Sequence, residues 1–72
     1  MDMAAQSLIE RISIDPEICS GKPHIRGTRL KVSFILDLLA SEWTLETILD
    51  EYVHIIKDDI LACLEYASEN LS

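Results

Sequence analysis

Two periodicities divide the chain near residue 32. Beyond it, apolar residues recur at three- and four-residue spacing. Ile35, Leu38 and Leu39 do so with Phe34 alongside, then Leu45, Ile48, Leu49 and Tyr52, then Ile60, Leu64, Ala67 and Leu71 with Leu61 beside them. Such spacing lays an apolar stripe along one side of a helix. It predicts helices over about 33–41, 44–53 and 57–70. Ser33 and Thr44 stand where a side-chain oxygen caps the free amides of a first turn. The segments "SEWT" and "VHII" interrupt the pattern between helices. Asp58 and Asp59 fall in the first turn of the third helix, where the helix dipole favours negative charge. The last two helices, joined by about four residues, have helix-turn-helix spacing.

Before Ser33 the period is two. "RISID" places Ile12 and Ile14 on one face and reads as a short strand, closed by Asp15-Pro16. Lys22, His24 and Arg26 alternate with Pro23 and Ile25, so an extended chain presents the three cationic side chains together. Pro23 disfavours helix at Lys22. After Gly27-Thr28 the phase slips by one residue: Arg29 and Lys31 become the polar positions, Leu30 and Val32 the apolar ones. A slip in a period of two marks a bulge or tight turn, and Gly27 is the residue that permits it. Two short extended pieces joined at Gly27-Thr28 are expected, with cations on the exposed face of each. Residues 1–10 carry no clear signal and read as a frayed tail or a short helical turn. The prediction is a mainly α domain over 11–72, a three-helix bundle preceded by short β-strands that form an N-terminal arm or ribbon over 11–32.

Size changes the picture next. A chain of 72 residues has room for one core, and such cores rarely supply more than about 3–5 kcal/mol unaided. Cys19 and Cys63 form no CxxC and have no His or Cys at ligand spacing, so two reduced thiols are expected, with Cys63 in the core. A homodimer is then the expected source of further stability. The first residues show neither a basic leader nor a long apolar run, so a cytoplasmic protein without a membrane span is expected.

Charge is distributed unevenly. The formal net charge is −7, yet residues 11–31 hold five cations against two acids, while residues 32–72 hold nine acids against Lys57 alone. A basic arm on an acidic body follows. "GKP…GT" does not form a phosphate loop: Lys22 follows the first glycine directly, Pro23 removes an amide donor, and no helix begins behind it. His24 and His54 lie apart, each without a companion at metal-ligand spacing. Ser20 or Cys19 beside His24 lacks the oriented third group that activates a nucleophile. No catalytic, metal or cofactor residue is assigned, and an enzyme is not expected. The candidate contact residues are Lys22, His24, Arg26, Thr28, Arg29 and Lys31. They suit phosphates, where Lys and Arg supply the affinity, or the acidic surface of a partner protein. The alternative is that they salt-bridge to the acidic body of the same chain or of a dimer mate. The third helix is poorly suited to enter a DNA groove, because Asp58, Asp59, Glu65 and Glu69 lie off its apolar stripe.

The run Gly21, Lys22, Pro23, Ile25, Gly27, Thr28, Arg29, Leu30 and Val32 resembles the signature of a bacterial family, domain of unknown function 433, and the likeness extends over about residues 12 to 67. The resemblance implies a homeodomain-like trihelical fold preceded by short strands. It also implies an antitoxin-like binding protein that neutralises a PIN-type nuclease and regulates its own operon. The alternatives are a DNA-binding regulator acting through the basic arm and an interaction module of another role. Gly21, Pro23 and Gly27 are carried over as structural signature residues. Three positions depart from the family pattern: Glu42 where glycine commonly ends the first helix, Val53 in place of a proline, and Ile56 where Thr or Ser commonly caps the third helix.

Overall fold

The computed structural model describes residues 8–71. Strand β1, Ile12–Ser13, pairs antiparallel with β2, His24–Ile25, in the register Ile12↔Ile25 and Ser13↔His24. A further antiparallel bridge joins His24 to Lys31, so β2 is flanked on both edges. Three helices follow: α1 Val32–Ala40, α2 Leu45–Glu51 and α3 Lys57–Leu71. The protein is mainly α, as its periodicity predicts. Of the tail expected over 1–10, residues 1–7 lie outside the described residues. Leu8 and Ile9 are helical, and Arg11 N–H donates to the Leu8 carbonyl at 2.9 Å.

The turn expected at Gly27-Thr28 is present. Thr28 N–H donates to the Ile25 carbonyl at 3.0 Å, and Gly27 takes φ +83°, the left-handed value that glycine adopts without penalty. The Thr28 hydroxyl donates to the same carbonyl at 2.8 Å and accepts from Leu30 N–H at 3.0 Å. The phase slip in the sequence is thus a hydrogen-bonded reversal, after which Val32 N–H donates to the Pro23 carbonyl at 3.0 Å.

Helix boundaries follow local chemistry. The first helix begins one residue before the expected cap: Lys31 occupies the N-cap position, with no side-chain bond, and Ser33 is exposed inside the first turn. The entry geometry is fixed by the bridge and the Pro23 carbonyl instead of by a hydroxyl. At the other end, Glu42 N–H donates to Leu39 and Trp43 N–H to Leu38, both at 3.0 Å, with Glu42 at φ +71°. This is the left-handed helix stop that glycine normally provides. Thr44 caps α2 as expected, accepting from Thr47 N–H at 3.1 Å. In α3 the missing hydroxyl at Ile56 is compensated from inside the helix: the Asp59 carboxylate accepts from Ile56 N–H at 2.9 Å, the backward half of a capping box.

The core comprises Ile12, Ile25, Val32, Ile35, Ile48, Ile55, Ile60, Ala62 and Cys63. Helices α1 and α2 and strand β1 all pack on α3. That three-sided packing rotates α3 away from the orientation its apolar stripe suggests. Asp59, Ile60, Ala62 and Cys63 are buried, whereas Leu64 is 44% and Leu71 86% exposed. Of the predicted stripe, Ile60 alone is fully buried. Burial pushes the Cys63 thiol up to about 12, with the negative Asp59 adding to the effect. Cys19 and Cys63 are both free, as expected.

Candidate partner-binding surface

The six candidate contact residues separate into those the fold consumes and those it presents. His24 is consumed. Its side chain is 1% exposed, and its Nδ1 lies 3.2 Å from the Lys22 carbonyl oxygen, which can only accept and so places the proton on Nδ1. The shared cationic face expected of Lys22, His24 and Arg26 therefore does not form. Both residues of β2 are buried, His24 as fully as Ile25, so neither side chain of this strand reaches the surface. Thr28 is consumed by the turn described above.

Arg26 is exposed but committed. Its Nε donates to the Glu10 carbonyl at 2.9 Å and its Nη2 to the Ile12 carbonyl at 3.4 Å, clamping the arm to the start of β1 and the chain just before it. Lys22, Arg29 and Lys31 remain exposed. Among the described residues, the ion pairs run from Arg11, which lies 3.2 Å from Asp59 and 3.8 Å from Asp58, and none involves Lys22, Arg26, Arg29 or Lys31.

These cations face different grooves. Lys22 edges an apolar groove of about 420 Å³ between the start of α1 and the end of α3. Arg29 lies between two others. One, of about 390 Å³, runs to Tyr52, Val53 and His54; the second, of about 420 Å³, runs to Lys31, Phe34 and Asp37. Phe34 and Tyr52 meet edge to face at 5.7 Å, so an aromatic pair spans α1 and the end of α2 beside Arg29. Periodicity alone did not point to this pair, although Phe34 lying outside the α1 stripe was its visible trace.

The turn that delivers Lys22 is strained. Cys19, Ser20 and Gly21 take φ +53°, +56° and +80° in succession. A left-handed backbone costs a side-chain-bearing residue roughly 1–2 kcal/mol. The Cys19 thiol donates to the Arg29 carbonyl at 3.3 Å, tying this turn to the strand-like segment that carries Arg29. A Cβ at Gly21 would meet Pro16 at an ordinary 3.7 Å, so its φ is what calls for glycine. Among the described residues no group of three or more His, Cys, Asp or Glu side chains is placed to hold a metal ion, and no helix is long and apolar enough to cross a membrane.

A small three-helix domain behind a hydrogen-bonded basic arm, with cations and aromatics at its surface, is the class of protein defined here. The chain belongs to the family described as protein of unknown function (DUF433), whose sequence profile matches residues 12–67. It is similar to a crystal structure of a DUF433 member protein from Anabaena variabilis, with a TM-score of 0.82 and 28% identity. The match covers 90% of this chain and 64% of that one, so the chain spans just under two thirds of that protein's length. No curated protein matches the chain.

Proposed function

We propose that this chain is a non-catalytic binding protein of the antitoxin type, which docks onto a nuclease-like toxin through the surface around Arg29 and Lys31. The observation that carries the reading is the absence, among the described residues, of any ion pair to these two exposed cations, although the chain carries a net charge of −7. Cations kept out of internal pairs beside an aromatic pair are suited to a partner that brings carboxylates and apolar surface. A guanidinium binds a carboxylate in a two-pronged fork, and a PIN-type nuclease gathers carboxylates where it holds metal. Arg29 reaching that cluster would remove the metal's ligands from service.

A second reading, binding to operator DNA, is less well supported. The arm's cations face separate grooves, and α3 sets Asp58 at its exposed start, where phosphates would repel it. The two activities coexist if the protein regulates its own operon.

The test is affinity capture of the tagged chain from its native host, with and without nuclease treatment, followed by Arg29→Ala and Lys31→Ala. A stoichiometric nuclease-like protein that survives the treatment and is lost in the variants supports the reading. Capture of DNA alone, with binding that falls steeply from low to moderate salt, overturns it in favour of the regulator.

A further inference from the structure

The apolar positions that α3 leaves at the surface have the spacing of a helix-pairing seam. Ile60, Leu64, Ala67 and Leu71 follow one another at intervals of four, three and four residues, alternating between the two core positions of a heptad. The monomer buries Ile60, half-buries Ala67 and leaves Leu64 and Leu71 exposed along the C-terminal half. Ile56, 52% exposed, extends the same edge past the start of the helix. We infer that this seam pairs with the same seam of a second copy, the two α3 helices running antiparallel.

Three observations select a second copy as the occupant. The seam fits a helix with matching spacing and length, and α3 supplies 15 residues where α1 and α2 have nine and seven. In an antiparallel pair Leu64 of one copy meets Ala67 of the other, large against small. Leu71 of each then settles above the buried Ile60 of its mate, between Ile56 and Leu64. Every layer is closed by the two-fold axis, as an isologous interface requires.

The residues that flank the seam outside the core, Leu61, Ser68 and Asn70, are uncharged. Heptad pairs that select a foreign partner do so by charge at those flanks; here nothing repels an identical helix, and Asp58, Glu65 and Glu69 fall on positions further round. Finally, the ends are complementary. The last turn of α3 has no basic residue, and antiparallel pairing brings Lys57 of the mate towards that negative helix end. A parallel pair would set the acidic stretches of both helices side by side.

A seam this short defines an interface below the standard size, hence a reversible, concentration-dependent dimer. Sedimentation equilibrium of the intact chain over a dilution series tests it. The mass is expected to rise from 8.1 kDa to twice that value. Leu71→Glu is expected to raise the dissociation constant by about tenfold or more. Leu71 is exposed in the final turn, so far-UV circular dichroism of the variant stays unchanged. Leu64→Glu is the second variant and behaves likewise, while Lys57→Glu weakens the dimer by a smaller factor. A mass that remains at 8.1 kDa at every concentration overturns the inference. So does a dimer whose dissociation constant is the same in Leu71→Glu and Leu64→Glu. The inference does not rest on the toxin-binding surface, and loss of either leaves the other standing.

Discussion

Replacing Glu42 with glycine should stabilise this protein. Glu42 sits at φ +71° between α1 and α2, and its amide and that of Trp43 close the end of α1 on Leu39 and Leu38. The chain direction at this point depends on the left-handed residue. For a residue with a Cβ that conformation costs roughly 1–2 kcal/mol, and glycine is relieved of it. Glycine also gives the unfolded chain more freedom, which offsets about 0.4–1 kcal/mol. Glu42 is exposed, and no side-chain hydrogen bond or ion pair of Glu42 is lost among the described residues. The difference is a net gain of about 0.5–1 kcal/mol, which in a domain of this size raises Tm by roughly 2–8 °C.

The comparison that isolates the backbone effect is Glu42→Ala, which removes the side chain and retains the Cβ. Urea and thermal unfolding followed by circular dichroism should rank the glycine variant above the alanine variant by about 1 kcal/mol. Equal stability of the two would refute the assignment of backbone strain to this position. A glycine variant less stable than the natural chain would refute the magnitudes.

Three further outcomes are expected. Arg11→Ala should destabilise the fold by about 1–3 kcal/mol in urea unfolding, because it leaves the largely buried Asp59 carboxylate without its cation; Arg29→Ala should change stability by no more than about 0.5 kcal/mol, and equal effects would contradict the division between consumed and presented cations. Gly27→Ala should cost about 1–2 kcal/mol through φ alone, since nothing lies within 4 Å of the added carbon; a neutral result would remove the requirement for positive φ at the turn. The Cys63 thiol, held up at about 12 against 9.0 when unfolded, binds its proton more tightly in the native state. Stability should therefore be fully present below about pH 9 and fall as the pH climbs towards 12, by at most about 1.4 kcal/mol per pH unit. Cys63→Ala should flatten that alkaline decline relative to the natural chain, measured as urea midpoints across the range.

The local features of this chain were readable from its residues, because they rest on groups close together in sequence. The three helices, the Thr44 cap, the acidic first turn of α3 and the reversal at Gly27 each depend on spacing within a few positions. The basic character of the arm was legible too, as was the departure at Glu42. What the sequence could not decide was which surfaces meet. The stripe Ile60, Leu64, Ala67 and Leu71 was a sound helical pattern, but α1, α2 and β1 converge on α3 from another side and bury Asp59, Ala62 and Cys63 with Ile60. His24 alternates with its neighbours as an exposed residue would, yet the assembled fold buries both residues of β2. Arg11 and Asp59 are 48 positions apart, and only the packing of the arm on α3 makes one the counter-charge of the other. Periodicity reports which residues share a side of an element. Which side faces inward is settled by every element that packs against it, and that is a property of the assembled fold.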